Sequence, residues 1–291
     1  MTMDIRDVIF APISEEEMTG SIYTEANGIL SGIDDAVKSA EELGLTVTMR
    51  CAEGDHVSAG QAVMTLKGTP KQMTMAEDHL IGPMAKTSGI ATSAAAFVAA
   101  AEGKFRVVCG SWKKVHPQVK EAYRRAVATG GCGIRMLDKP MVYLDKNYVA
   151  MLGGIRETLD TVNSMPELEG KARVIQVKKR GDLGLDCWTA AEYGADVLFL
   201  DTGNLEDFSE LQRSMEFMAR VPQIAFAGNV TMADMARLRD LPVDIVGVGK
   251  AIIDAPMLDM RFDVVAPDRP HKCDCHSSEF QAQNEKDNNN E

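Results

Sequence analysis

Six short runs of apolar residues recur at intervals between positions 105 and 248, and this rhythm limits the available folds more than any other feature. Val, Ile and Leu dominate the runs, and amphipathic stretches such as 206–219 and 232–238 separate them. Strands buried on both faces that alternate with helices are typical of parallel βα repeats. The pattern therefore predicts an α/β chain with a βα-barrel, complete or incomplete, in preference to an open sheet. The runs are 105–109, 141–144, 173–177, 197–200, 223–227 and 244–248.

Residues 1–103 follow a different pattern. Apolar runs at 28–33, 46–50 and 60–66 predict strands, and helical spacing at 34–43 predicts a helix. Turn signals rich in glycine lie between the strands and favour antiparallel pairing, so we predict an N-terminal α/β sandwich domain.

The Ala- and Met-rich stretch 75–102 predicts connecting helices, broken near Gly82-Pro83 and Ser88-Gly89. The barrel domain is predicted at 104–268. The polar residues 269–291 have little to bury and are predicted to be a disordered tail.

Composition excludes some classes of partner. The 291 residues carry a net charge of −12, which argues against binding to nucleic acid or an anionic membrane, because such partners attract clustered cations. The start lacks the apolar core of a secretion signal and no stretch is long enough to span a membrane, so we expect a cytoplasmic protein. The cysteines at 51, 109, 132 and 187 are isolated among apolar or small residues, a pattern typical of reduced core thiols.

Two glycine-containing turns follow the last two predicted strands. Ala227-Gly228-Asn229 comes after the run at 223–227, and Thr231 is placed to cap the next helix. Gly249-Lys250 comes after the run at 244–248. In a βα-barrel, phosphates favour these loops, because glycine lets backbone N–H groups approach the ligand. The turns thus predict a phosphate site; the alternative is that the fold alone requires them.

Charged side chains stand at the ends of other strands. Asp201 directly follows the run at 197–200, where its carboxylate is able to bind a ribose hydroxyl or, through water, Mg²⁺. Alternatively, it caps the next helix. Lysines and an arginine at several strand ends are able to concentrate a polyanionic ligand; alternatively they are solvated surface residues. These cations are Lys113, Lys114, Arg135, Lys139, Lys146, Lys178 and Lys179.

A cluster of soft metal ligands lies near the C-terminal end. His271, Cys273, Cys275 and His276 are able to bind Zn²⁺ or Cu⁺, although their spacing is not that of a zinc finger. The alternative, which we favour, is an incidental exposed cluster.

From about residue 22 to 264, the chain resembles the quinolinate phosphoribosyltransferase family. The resemblance rests on motifs that occur in the family's order: 88–92 (SGIAT), Lys113 to Pro117, 130–131 (GG), 153–155 (GGI), 194–201 (GADVLFLD), 243–249 (VDIVGVG) and 255–259 (APMLD). It implies a type II phosphoribosyltransferase fold and a role in NAD biosynthesis. It also implies a homodimer in which each N-terminal domain covers the partner's barrel mouth. The family condenses a pyridine carboxylate with phosphoribosyl pyrophosphate, using Mg²⁺.

The departures from the family pattern fall on its active site. Asp78 stands where the family has an arginine that enters the partner's site, and Trp112 also replaces an arginine. The family's His-Arg pair reads Ile134-Arg135, its histidine near Asn147 is lost, and Lys178 replaces a metal-side glutamate. Because recognition of a dianion depends on such cations, quinolinate itself is not the expected acceptor.

The resemblance and the residues together predict a divergent phosphoribosyltransferase acting on an N-heteroaromatic acceptor. Lys113, Arg135, Lys146, Lys178 and Asp201 are the predicted catalytic residues, with Asp201 also the predicted Mg²⁺ ligand. The alternative is a non-catalytic relative that binds a nucleotide or sugar phosphate as a sensor or partner subunit. The predicted substrate-binding residues, in which Trp112 offers a surface for ring stacking, are Trp112, Lys114, Asn147, Ala227, Gly228, Asn229, Gly249 and Lys250.

Overall fold

A computed structural model describes residues 3–179 and 181–265. The predicted tail at 269–291 and the cluster that includes Cys273, Cys275 and His276 lie outside these residues. No helix in the described ranges combines the length and the apolar character that a membrane crossing demands.

The N-terminal domain is an antiparallel sheet covered by helices, as predicted. It contains α1 (Ile5–Ile9), β1 (Met18–Thr24), β2 (Gly28–Ile29), α2 (Ile33–Glu42), β3 (Thr46–Arg50), β4 (His56–Val57), β5 (Ala62–Gly68) and α3 (Pro70–Ala100). Strand β5 pairs with β1 and β3, and β2 pairs with β4 in a small second sheet. Helix α2 buries Ile33, Ala36 and Ala40, at the spacing of one helical face.

Helix α3 is continuous, so the predicted breaks near Gly82-Pro83 and Ser88-Gly89 are wrong. Pro83 lies within the helix, and the hydroxyl of Thr87 donates to its carbonyl at 2.9 Å. Gly89 instead allows α3 to pack closely against the backbone of Pro256, because a Cβ there would lie 2.0 Å from the carbonyl oxygen of Pro256. The helix packs on α2 and β2, and its burial on several sides outweighs the local preference for a break.

All six predicted strands of the second domain are present and parallel. Helices separate most of them and pack on the outer face of the sheet. The elements are β6 (Arg106–Val108), α4 (Lys120–Thr129), β7 (Met141–Leu144), α5 (Lys146–Leu152), α6 (Ile155–Asn163), β8 (Ala172–Val177), α7 (Leu183–Glu192), β9 (Val197–Asp201), α8 (Phe208–Met215), β10 (Gln223–Ala227), α9 (Met235–Leu238), β11 (Ile245–Gly247) and α10 (Lys250–Ile253).

The sheet closes as an incomplete barrel. The strand order is β6-β11-β10-β9-β8-β7, so the first strand pairs with the last, and Val108 forms a further parallel bridge to Gly133. No pairing joins the segment at Gly133 to β7 within the described chain, which leaves an open seam there. Alternate residues of the strands fill the interior with apolar side chains, among them Val174, Val197, Phe199, Ala225 and Ile245.

The chain then returns to the first domain. Strand β12 (Met260–Val265) pairs antiparallel with β1, and Met260 belongs to the N-terminal core. Residues 260–265 therefore extend the N-terminal sheet, although the sequence pattern assigned them to the barrel domain. The pairing joins the two ends of the described chain across one sheet.

Candidate active site at the barrel mouth

The C-terminal ends of the parallel strands bring the predicted site residues to one rim. Across the register, Asp201 lies opposite Ala227, Ala227 opposite Gly247, and Gly247 opposite Val108. Asp201 continues the inward-facing series of Val197 and Phe199, because side chains alternate along a strand. The rim is where ligands bind in barrels of this kind.

Asp201 is held by two side chains from the neighbouring strand end. The ammonium of Lys178 lies 2.8 Å from its Oδ2, and Nε2 of Gln176 donates to the same oxygen at 2.5 Å. Oε1 of Gln176 accepts from the backbone N–H of Lys146 at 2.8 Å, which fixes the start of α5. A network thus joins the ends of β7, β8 and β9. Asp201 does not cap the next helix, since Asn204 is the residue that does so.

The glycine turns bring backbone groups close to the rim. Gly228 has a φ of +124°, and a Cβ there would lie 2.4 Å from the backbone nitrogen of Gly203. The N–H of Gly203 donates to the carbonyl of Ala227 at 3.1 Å, so the loops after β9 and β10 are in direct contact. The fold therefore requires glycine at 228, and the same turn leaves backbone accessible beside the exposed Asn229. Thr231 caps the following 3₁₀ turn, as predicted.

The turn at Gly249 lies against the loop that follows β6. A Cβ on Gly249 would be 2.1 Å from the hydroxyl oxygen of Ser111, and the N–H of Val248 donates to the carbonyl of Val108 at 2.9 Å. This contact places Lys250, at the start of α10, beside the 3₁₀ turn that carries Lys113 and Lys114.

Five of the predicted cations on these loops are exposed and have no salt bridge to any described residue. Lys179 differs, because it forms salt bridges with the buried Asp207 at 2.9 Å and with Glu210 at 2.8 Å. The alternative that Lys179 is only a solvated surface residue is therefore wrong, because two carboxylates hold its ammonium. The five are Lys113, Lys114, Arg135, Lys146 and Lys250.

Trp112 is anchored to the rim. Its indole Nε1 donates to the carbonyl of Ile134 at 3.0 Å, which places the ring beside the segment of Arg135. The guanidinium of Arg124 lies 5.4 Å from the ring centroid and covers part of the indole. Sequence reasoning missed Arg124, because nothing in the helical spacing of α4 shows what its arginines contact.

Two further mouth residues were missed. Tyr143 and Gln176 lie in the inward-facing series of β7 and β8, and strand alternation was the signal that could have found them. The ring of Tyr143 lies 6.0 Å from that of Phe199. Burial, together with the nearby negative charge of Asp201, raises the pKa of the Tyr143 phenol, so it remains a neutral hydrogen-bond donor.

The residues at the mouth do not fit a protein-bound Mg²⁺. Oδ2 of Asp201 is already bound by an ammonium and an amide, and no described residue brings a second carboxylate into a metal-binding group with it. The described ranges contain no group of three or more His, Cys, Asp or Glu side chains able to hold a metal ion. Magnesium prefers several oxygen ligands, and a neighbouring ammonium repels it.

Models of the two domains of quinolinate phosphoribosyl transferase match this chain. The N-terminal domain model matches residues 7–88 and the C-terminal domain model matches residues 90–263. The chain belongs to the quinolinate phosphoribosyltransferase family. The family fold agrees with the barrel and the N-terminal sheet described above.

Relatives and solved structures of the family are distant in sequence. A probable carboxylating nicotinate-nucleotide pyrophosphorylase of Archaeoglobus fulgidus is 26% identical over 268 residues, which cover 90% of this chain and 100% of the relative. The human carboxylating nicotinate-nucleotide pyrophosphorylase is 23% identical, with 84% of this chain and 82% of the relative covered.

Among solved structures, NadC from Streptococcus pyogenes superposes with a TM-score of 0.76 at 21% identity, covering 92% of each chain. The nicotinate-nucleotide pyrophosphorylase of Pyrococcus furiosus gives 0.76 at 22% identity, over 91% of this chain and 74% of that one. At these identities the solved structures support the fold of this family member and do not show its chemistry.

Proposed function

We propose that this family member transfers a phosphoribosyl group from phosphoribosyl pyrophosphate to an N-heteroaromatic acceptor and releases pyrophosphate. The observation that carries the proposal is the set of five exposed cations on the loops of the mouth, none of which forms a salt bridge with a described residue. In a chain of net charge −12, such a concentration of positive charge favours a polyanionic ligand. The printed names of the relatives, nicotinate-nucleotide pyrophosphorylases, agree with this reaction.

The proposed chemistry depends on charge placement. The lone pair of an acceptor ring nitrogen attacks the anomeric carbon, and the bond from that carbon to the pyrophosphate oxygen breaks. The electron pair leaves with pyrophosphate, whose growing charge Lys113, Arg135, Lys146 and Lys178 stabilise. The ribose carries oxocarbenium character in the transition state, and Oδ1 of Asp201 accepts from a ribose hydroxyl while Lys178 and Gln176 hold Oδ2. The backbone around Gly228 and Gly249 binds the 5′-phosphate.

We further propose that the ammonium of Lys178 supplies the positive charge that Mg²⁺ supplies in the family. The ammonium contacts both Oδ2 and the backbone carbonyl of Asp201, so its position at the mouth is fixed by two bonds. A held charge needs no reorganisation as the leaving group departs. The reaction is therefore expected to proceed without a protein-bound metal.

The acceptor is expected to be a pyridine carboxylate or a similar azole, and not quinolinate. Trp112 remains the predicted stacking surface, and the guanidinium of Arg124 covers part of its indole. Lys114 and Asn147 remain predicted substrate-binding residues. A ring with a single carboxylate demands fewer matching cations than a dicarboxylate. This fits the loss of the family's His and Arg at Tyr148 and Trp112.

A homodimer with shared active sites remains a prediction from the family. Met3, Ile5, Val8 and Ile9, in and beside α1, are all at least half exposed, which is the kind of apolar surface that a subunit interface covers. Light scattering on the purified full chain measures the mass directly.

The test is a measurement of pyrophosphate release from phosphoribosyl pyrophosphate across a panel of pyridine and azole carboxylates, with quinolinate included. We expect release with at least one monocarboxylate acceptor and little with quinolinate. Binding of phosphoribosyl pyrophosphate without release for any acceptor would favour the non-catalytic alternative. Lys38→Gln, which alters an exposed lysine on α2, serves as the matched control for substitutions at the mouth.

A further inference from the structure

A cleft in the open seam of the barrel extends from the mouth, where Arg135 and Tyr143 line it, to residues that the proposed transfer reaction does not use. Its volume is about 670 Å³, which is within the range of small-ligand sites. It runs along the unpaired edge of β7, from the residues that precede this strand to the first turn of α5. Arg135, Lys139, Lys171, Tyr143 and Tyr148 are among the residues that line it.

The charges of the cleft are unbalanced. Arg135, Lys139 and Lys171 have no salt bridge with any described residue. The single carboxylate of the lining, that of Asp138, accepts two hydrogen bonds from the guanidinium of Arg106, at 2.5 and 2.6 Å. Among the described residues of the lining, three cations thus face a common space in which the one carboxylate is already bound by Arg106. Such an arrangement favours an anion with several oxygens.

The aromatic residues of the cleft lie toward its other end. Tyr143 is the third residue of β7 and Tyr148 lies in the first turn of α5, and both rings are partly exposed, at 39% and 49%. Lys139 and Lys171 precede β7 and β8, at the opposite end of these strands. The two ends of the cleft thus differ: one presents aromatic surface and the other presents ammonium groups.

The ammonium end is separate from the barrel mouth. Lys171 and Lys178 flank the same strand and are seven positions apart, which corresponds to roughly 20 Å along an extended chain. A phosphate beside Lys171 therefore cannot also lie beside Lys178 and Asp201. The ammonium end is therefore separate from the proposed pyrophosphate site, although the cleft shares Arg135 and Tyr143 with the mouth.

We propose that this cleft binds a nucleoside monophosphate, with the base against Tyr143 and Tyr148 and the phosphate between Lys139 and Lys171. Stacking on an aromatic side chain suits any base, because every base presents a π face. Lysines bind phosphate as point charges and need no particular geometry.

The experiment is a calorimetric titration of the full chain with AMP, followed by adenosine and ribose 5-phosphate. AMP is expected to bind saturably, and removal of either the base or the phosphate is expected to weaken binding by about tenfold or more. Lys171→Gln is expected to weaken AMP binding by about tenfold, the effect of losing one charge-assisted hydrogen bond, while Lys38→Gln leaves it unchanged.

A separate variant tests where the base of AMP binds. Tyr148→Leu should reduce the advantage of AMP over ribose 5-phosphate, because it removes a stacking surface and no charge. Absence of AMP binding, or wild-type AMP affinity in Lys171→Gln, would overturn the proposal. Thermal melting of each variant confirms folding, and binding of phosphoribosyl pyrophosphate to Lys171→Gln should equal that of the wild type. A failure of the transferase proposal would leave these results unchanged.

Discussion

The ammonium of Lys178 forms a salt bridge of 2.8 Å with Asp201, at the point where two neighbouring barrel strands end. Both side chains are only partly exposed, at 33% and 25%. On the proposed mechanism, this fixed cation supplies the positive charge that the leaving pyrophosphate needs.

The first prediction concerns metal dependence. Lys178→Glu places a second carboxylate beside Asp201, and the two negative charges repel a pyrophosphate unless a divalent cation lies between them. We expect this variant to lose at least about tenfold in affinity for phosphoribosyl pyrophosphate in EDTA and to recover with Mg²⁺. Lys178→Met, which removes the charge without adding a carboxylate, should be weakened equally with and without Mg²⁺. Tight binding to Lys178→Glu in EDTA would be inconsistent with the account.

The second prediction concerns the turn after β10. Gly228→Ala combines a positive φ with a clash against the backbone of Gly203, so we expect it to lower the free energy of unfolding by about 3 kcal/mol or more. Gly60→Ala is the matched control, because Gly60 has a φ of +81° and open space where its Cβ would lie. That change should cost only about 1–2 kcal/mol, the strain of the left-handed backbone. Urea unfolding measures both values; equal losses would show that the contact with Gly203 is unimportant.

The third prediction concerns cysteine chemistry. Burial raises the pKa of the Cys109 thiol to about 11 and that of Cys187 to about 12. Burial, reinforced by Cys109, raises the pKa of Cys132 to about 12. At pH 8 a thiol of pKa 11 is ionised in only about one molecule in a thousand, so we expect alkylation of Cys51 well before these three.

The same shifts have a consequence for stability. The folded state holds these protons more tightly than the unfolded state, whose thiols ionise near pH 9. Their contribution to the free energy of unfolding is therefore complete below about pH 8 and decreases as the pH rises from 9 toward 12.

Mass spectrometry after brief alkylation of the native protein checks the predicted order of cysteine reactivity. Rapid modification of Cys187 at pH 8 would contradict the burial on which the prediction depends.

The sequence predicted those parts of the fold that depend on local pattern. The six barrel strands and the capping role of Thr231 follow from apolar runs and from the chemistry of helix starts. The breaks assigned to α3 failed because packing on both domains outweighs the local effect of Pro83. Pairing of β12 with β1 was missed because it joins residues more than two hundred positions apart, and no local pattern encodes such a contact.

The site was predicted as a set of residues and not as an arrangement. The glycine turns and most of the predicted cations follow strand ends on one rim, whereas Lys139 precedes β7 and lies at the opposite end. The salt bridge from Lys178 to Asp201, the support from Gln176 and the cover of Trp112 by Arg124 depend on side-chain directions across strands. A linear pattern gives the face on which a residue lies, but not the atom it contacts.

The most direct test of the central claim is a calorimetric titration of the wild-type chain with phosphoribosyl pyrophosphate in EDTA, in parallel with Lys178→Met. We expect the wild type to bind phosphoribosyl pyrophosphate saturably without any divalent cation. We expect the variant to bind it at least about tenfold more weakly, since one fixed charge is lost. Absence of binding by the wild type in EDTA, or equal affinity of the two proteins, would contradict the claim that Lys178 supplies the positive charge at the mouth of this barrel.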